Sequence, residues 1–262
     1  MPTLVLKLGG AVVEDPATIA TLAQELSEVR GAGVTTYLVH GAGPQLDAAL
    51  RALREPVVKH KGLRVTSARA ADVVQREMDA VGARLALALE RAGVPARHIP
   101  SGKGLFEARV KVPDDGADLG RVGTVTEFHH LFVHPTSDAD PLAVLTPVGL
   151  DPKGPLNVNA DEGAAAVARA LRADWLVLGT DVEHVLDAAG APIARISRAE
   201  AVRLVASQAA RGGMIPKLAS ALEALDGGTR TVLITKVAPG VVRGLVLERA
   251  ARGTLVVPEA GP

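Results

Sequence analysis

Residues 3–10 read Thr3-Leu4-Val5-Leu6-Lys7-Leu8-Gly9-Gly10, an apolar run that carries one lysine and stops at two glycines. A continuous Leu/Val run of this length fits a strand buried on both faces. Such a strand has no use for an ammonium group unless Lys7 emerges at its end. The paired glycines let the backbone approach a ligand closely, or take positive φ, without steric cost. A cationic side chain beside bare backbone N–H groups suits a phosphate. The residues of this stretch alone leave a plainer reading open, an ordinary strand and turn with Lys7 merely exposed.

Working outward, Asp15-Pro16 marks a helix start: a capping carboxylate, then proline where its missing N–H costs nothing. The helix is predicted to run to about residue 30 and stop at Gly31 or Gly33. Residues 34–39 form a second strand, ending in His40-Gly41-Ala42-Gly43-Pro44, and a helix with Leu46, Leu50 and Leu53 on one face follows. Strand, helix, strand, helix predicts a parallel sheet with right-handed crossovers. Both strands end in Gly-rich loops, at the carboxyl ends where such sheets bind ligands.

Residues 57–65 read as an irregular hairpin turning near Gly62. Thr66 or Ser67 caps the next helix, which runs to Ala92 with a seam of Ala71, Val74, Met78, Val81, Leu85, Ala88 and Ala92. That narrow seam fits packing against another helix or against the chain's own sheet. Residues 94–156 are rich in strands and turns, with runs at 105–112, 122–126 and 142–148. Between the last two lie His129, His130 and His134, but no acidic or cysteine partner stands at ligand spacing within that run, so no metal is assigned there. An alanine-rich helix starts at Asp161, and a buried strand over 174–179 ends in Thr180-Asp181. Helices over 198–210 and 216–227 and strands over 231–235 and 253–257 complete the chain. The change in character near residue 173 divides it into lobes of 1–172 and 173–262.

At 262 residues the chain has material for a large core. Equal counts of basic and acidic residues, 29 each, give no field to attract nucleic acid or an anionic membrane. Five aromatic residues are too few for a base-stacking platform, and the absence of cysteine excludes disulfides and thiolate catalysis. No apolar run reaches the roughly 18 residues of a membrane span and no signal-peptide pattern opens the chain, so the expected location is cytoplasmic. The P-loop pattern is missing, and Gly41-Ala42-Gly43 fails the dinucleotide fingerprint because Leu46 holds its third glycine position.

Seven runs, Lys7-Leu-Gly-Gly10, His40-Gly-Ala-Gly43, Gly62-Leu-Arg64-Val-Thr66, Asp118-Leu-Gly-Arg-Val-Gly123, Asn157-Val-Asn-Ala-Asp161, Thr180-Asp181-Val182 and Gly213-Met-Ile-Pro-Lys217, resemble the amino acid kinase family in kind and order. The resemblance implies a three-layer αβα open sandwich around a central, mainly parallel sheet, in two lobes. It also implies transfer of the ATP γ-phosphoryl group to the side-chain carboxylate of N-acetyl-L-glutamate, with magnesium arriving with ATP.

Carried over from the family, Lys7 bridges the attacking side and the γ-phosphoryl, Lys217 reaches the leaving-group side, and Asp161 holds both ammonium groups. The N–H groups of Gly10, Gly41 and Ala42 line the transferring phosphoryl. Arg64 grips the substrate α-carboxylate through two parallel hydrogen bonds, with Asn157 beside it. Thr180, Asp181, Arg211 and Gly213 belong to the nucleotide site. From the residues alone, Asn157 and Asp161 also fit a turn and a helix cap. N-acetyl-2-aminoadipate remains an alternative substrate, and a non-catalytic sensor of acylated amino acids an alternative of another class.

Three departures from the family stand out: Ala42 in place of a second glycine, Glu183-His184 in a turn where an acidic or small residue and a glycine are usual, and no clear helix over 128–141. No helix precedes the first strand, whereas arginine-inhibited hexameric members carry one. The expectation is therefore a homodimer, crossed at the Ala71–Ala92 seam, with little arginine inhibition.

Overall fold

The computed structural model describes residues 1–133, 140–207 and 213–258. Its centre is the strand Thr3–Leu8, paired in parallel with Thr35–His40 on one side and Trp175–Thr180 on the other. The full sheet has eight strands, in the order Arg195–Ser197, Thr254–Val257, Thr231–Lys236, Trp175–Thr180, Thr3–Leu8, Thr35–His40, Leu142–Leu145, Ala96–Ile99. Every pairing is parallel except that between Thr231–Lys236 and Thr254–Val257. The expected mainly parallel sheet is present, and it runs unbroken across residue 173.

Helices cover both faces, which explains why the opening strand is apolar throughout. Alternation along that strand sends Leu4, Leu6 and Leu8 to the side of helices Pro16–Gly31, Ala68–Arg91 and Val241–Val246. Val5 goes to the other side, into the cluster built with Ala160–Leu171, Arg198–Ala206 and Met214–Asp226. Lys7 shares the parity of Val5, so the period of two aims it at the start of helix Ala160–Leu171. Buried Glu25 ties helices Pro16–Gly31 and Val241–Val246 together within one layer by accepting from the N–H groups of Gly240, Val242 and Arg243, at 2.6, 2.9 and 3.0 Å.

Local signals hold at several ends. Asp15 caps the helix Pro16–Gly31 by accepting from the Ala17 N–H, and Ser67 caps Ala68–Arg91 by accepting from Ala70. The expected hairpin is Lys59–His60 paired with Leu63–Arg64, turning through Lys61 and Gly62, both at positive φ (47° and 84°). Two positive-φ residues make the tight turn whose twist matches a two-stranded ribbon.

Other expectations need correction. The seam residues Ala71, Val74, Met78, Val81 and Leu85 are buried within the chain itself, against Ala42, Leu46 and Val148 at one end and the sheet at the other. That face packs on the chain's own core, and Ala92 is exposed. The strand runs expected at 105–112, 122–126 and 142–148 are present as Phe106–Val110, Val122–Phe128 and Leu142–Leu145. Ala96–Ile99 forms the edge of the main sheet, and Phe106–Val110, Val122–Phe128, Val148–Asp151 and Gly154–Val158 close into a small four-stranded barrel. The described part of 128–141 has only the 3-10 turn His130–Phe132, and His134 lies outside the described residues, as does the predicted helix beyond Ser207.

The small barrel is tight enough to demand glycine. A Cβ on Gly149 would stand 2.3 Å from the Ala108 Cβ and 3.2 Å from Val158 Cγ2. Gly149→Ala is therefore expected to destabilise the protein by about 1–3 kcal/mol in chemical denaturation, the usual range for overpacking. An unchanged midpoint would show that the barrel yields more easily than its packing implies.

Candidate active site

The carboxyl ends of Thr3–Leu8 and Trp175–Thr180 open into a cleft of about 800 Å³. Lys7, Lys59, Arg64, Lys217 and Lys236 line it, against the carboxylates of Asp15, Asp161 and Asp181. Five cations to three anions make the cleft attractive to a polyanion, although the chain as a whole is neutral.

At the floor, Lys7 Nζ lies 2.8 Å from Asp161 Oδ1 and Lys217 Nζ donates to Asp161 Oδ2 at 3.0 Å. Lys7 also donates to the Gly179 carbonyl at 3.1 Å. Asp161 is 4% exposed. Burial pushes its carboxyl up, but the Lys7 and Lys217 ammonium groups outweigh burial and hold it below the ordinary aspartate value. It is therefore ionised, and the trio carries one net positive charge. Asp161 is free to do this because Asn159 caps helix Ala160–Leu171, its Oδ1 accepting from the Asp161 N–H at 2.8 Å. Asn159 is thus a supporting residue that the sequence reading passed over, although an Asn just before a helical run is itself a start signal.

The two glycine loops meet beside this trio. A Cβ on Gly10 would lie 2.8 Å from the Gly43 nitrogen and 2.9 Å from Ala42 Cα, so only glycine admits this approach. Gln45 fastens the junction by donating from Nε2 to the Gly10 carbonyl at 2.9 Å, a role with no sequence signal. Gly41 requires correction. Its N–H donates to the Leu8 carbonyl at 2.8 Å and is committed to joining the first two strands. The donors left at this end are those of Ala42 and Gly43, which open helix Gly43–Ala52 and have no backbone acceptor among the described residues. Ala42 sits at φ −144°, so its methyl group imposes no left-handed strain.

On the side of the hairpin, Arg64 is 8% exposed. Its Nη2 pairs with Asp47 Oδ1 and donates to the Gly43 carbonyl at 3.2 Å, while the buried Nη1 has no hydrogen-bond partner among the described residues. Asn157 donates to Thr66 Oγ1 at 3.0 Å, and Thr66 Oγ1 donates to the Arg64 carbonyl at 2.8 Å. Arg64, Thr66 and Asn157 are therefore one linked set drawn from hairpin and barrel.

Across the cleft, Thr180 Oγ1 donates to Asp181 Oδ1 at 2.9 Å, and that bond holds the Asp181 carboxyl below its ordinary value. Gly213 precedes helix Met214–Asp226, which carries Lys217. Arg211 lies outside the described residues. Turn residue Gly62 packs near Pro216, with a Cβ built on it only 3.6 Å from Pro216 Cγ, so hairpin and lysine helix meet over the cleft.

An arrangement of two lysines on one carboxylate, with bare N–H groups beside them, can neutralise charge on a group moving between two anions. Lys7→Ala and Lys217→Ala are each expected to lower kcat at least about a hundredfold while circular dichroism stays near wild type. Normal turnover in either variant would reduce that lysine to a structural charge.

Behind the glycine loop, His40 is fully buried beside Thr146 and His98. Burial, with a smaller push from His98, lowers it to about 4. The unfolded chain binds more protons than the folded one between that value and the ordinary 6.5, so this group makes stability fall as pH drops through the interval. The full effect is about 3 kcal/mol. His98, Asp79 and Arg84 also act on it. His40→Gln is expected to flatten the stability–pH curve between pH values of roughly 6.5 and 4, and an unchanged slope would assign the acid sensitivity elsewhere.

Comparison with known proteins bears on family and fold. The chain matches the amino acid kinase family over residues 2–236. The acetylglutamate kinase of Roseiflexus castenholzii is 36% identical over 248 residues, 94% of each chain, and that of Rubrobacter xylanophilus is 37% identical over 98% of this chain and 97% of its own. Among solved structures, N-acetylglutamate synthase from Neisseria gonorrhoeae, complexed with coenzyme A and N-acetyl-glutamate, superposes with a TM-score of 0.85 at 27% identity. The match covers 99% of this chain but 60% of the synthase. Carbamate kinase from Giardia lamblia, with a TM-score of 0.73 at 17% identity over 98% of this chain and 99% of its own, shares the fold. The chain belongs to the amino acid kinase family.

Proposed function

We propose that the chain acts as an acetylglutamate kinase, transferring the γ-phosphoryl group of ATP to the side-chain carboxylate of N-acetyl-L-glutamate in arginine biosynthesis. The observation that carries this reading is the Lys7–Asp161–Lys217 trio at the floor of a cleft that also holds Arg64. Relatives 36–37% identical over nearly the whole chain bear that name.

In this reading a carboxylate oxygen of the substrate attacks the γ-phosphorus, the bond to the β,γ-bridging oxygen breaks, and ADP leaves. A carboxylate with a pKa of about 4 is already ionised at neutral pH, so no general base is required. The problem is to bring one anion up to another. Lys7 faces the incoming side and Lys217 the leaving side, with Asp161 as their positioning residue. Gly10, Ala42 and Gly43 offer N–H groups to the phosphoryl oxygens. Arg64 and Asn157 receive the polar end of the amino acid. Thr180, Asp181, Arg211 and Gly213 take the nucleotide, which enters with magnesium as its cosubstrate complex. Residues 1–172 then carry the acyl-amino-acid site and 173–262 the ATP site, in a cytoplasmic homodimer.

The test is ADP release with N-acetylglutamate, N-acetyl-2-aminoadipate and glutamate side by side. N-acetylglutamate is expected to give the highest kcat/KM, and Arg64→Ala to raise its KM while leaving that for ATP nearly unchanged. Preference for the longer homologue would move the assignment to lysine biosynthesis, since one methylene is worth only about 1–3 kcal/mol in a pocket. No turnover with any of them would leave a binding protein on a kinase fold.

A further inference from the structure

We propose that Asp47 is the positioning residue for Arg64, holding Nη2 so that the buried Nη1 is presented to an anionic oxygen of the substrate. This rests on the reading of Arg64 as the substrate clamp given above.

Asp47 lies on helix Gly43–Ala52, whose first residue borders the phosphate-facing loop. Its Oδ1 pairs with Arg64 Nη2, and the same Nη2 donates to the Gly43 carbonyl. One nitrogen of the fork therefore meets the helix carboxylate as an ion pair and donates a hydrogen bond to the loop backbone. The other, Nη1, is buried and has no acceptor among the described residues. A buried donor of a charged group left without a partner is costly, and in a cleft wall it marks where a ligand atom completes the set.

Two consequences follow. The expected pair of parallel hydrogen bonds through both terminal nitrogens would have to displace the Asp47 and Gly43 contacts of Nη2. Recognition at this end is one-armed through Nη1, with Asn157 next to it in the Arg64–Thr66–Asn157 set. The clamp is also fastened to the helix that begins with the phosphoryl donors, so a substrate seated on Arg64 is registered against the loop that faces ATP.

Asp47 has opposing effects on the substrate. Its charge repels an incoming carboxylate, whereas its contact fixes where Nη1 points. Our proposal is that orientation outweighs repulsion, and the sign of one variant decides between them. Steady-state kinetics would be measured with MgATP and the acylated amino acid that turns over fastest. Asp47→Ala is expected to raise the amino-acid KM about tenfold, the scale of one charged hydrogen bond, with ATP KM and kcat nearly unchanged. Asp47→Asn keeps an oxygen for Nη2 and is expected to restore most of the affinity. In an Arg64→Ala background, Asp47→Ala is expected to add nothing.

A lower KM in Asp47→Ala would overturn the proposal, because Asp47 would then merely compete for the arginine. So would equal rises in both KM values, or effects that add in the double variant. If Arg64→Ala raises the amino-acid KM and Asp47→Ala does not, this proposal alone fails. If Arg64→Ala leaves that KM unchanged, the clamp reading fails with it.

Discussion

One carboxylate holding two ammonium groups is the constraint on which the rest of the cleft depends. Taking charge out of water is expensive, and removing one partner of a buried pair costs about 3–5 kcal/mol. Asp161 is nearly sealed, yet it remains ionised because Lys7 and Lys217 stand on its two oxygens. The central strand supplies the first lysine, the N-terminal turn of Ala160–Leu171 the carboxylate, and helix Met214–Asp226 the second lysine. Packing of these elements around Val5, Ala164, Leu178 and Leu218 is therefore what sets the spacing of the charges.

The same dependence runs outward. Gly10 lets the first loop touch the second, and Gln45 locks the contact. The second loop opens the helix that carries Asp47, and Asp47 and the Gly43 carbonyl both hold Arg64. A chain of short contacts thus links the phosphate-facing backbone to the far wall of the cleft. Neutral overall charge is compatible with this because the cations are gathered locally.

Much of this was legible in the sequence where local chemistry dictates structure. The apolar opening strand, the Asp15 cap, a second cap at Thr66 or Ser67, the Gly62 turn and the Gly-rich strand ends all follow from the residues. So did the conjunction of Lys7, Asp161 and Lys217, but only through family resemblance, since no spacing rule joins residues 210 positions apart (7 to 217). What stayed hidden depends on tertiary contact. The four-stranded barrel is made of short strands paired across turns. The Ala71–Leu85 seam gave no sign of whether it faced its own core or a partner. Gly41 looked like a phosphate donor until its N–H was found on Leu8, and Gln45 and Asp47 are ordinary helix residues until the loops fold over them.

The most direct test of the account is the turnover of Asp161→Asn, measured together with ATP binding and thermal unfolding. Asparagine keeps the shape and an oxygen but removes the charge that holds the two ammonium groups at one place. The account predicts a folded protein that binds ATP and whose kcat falls at least about a hundredfold. A folded Asp161→Asn protein with near wild-type kcat would contradict it, because the lysines would then be held in place without the carboxylate.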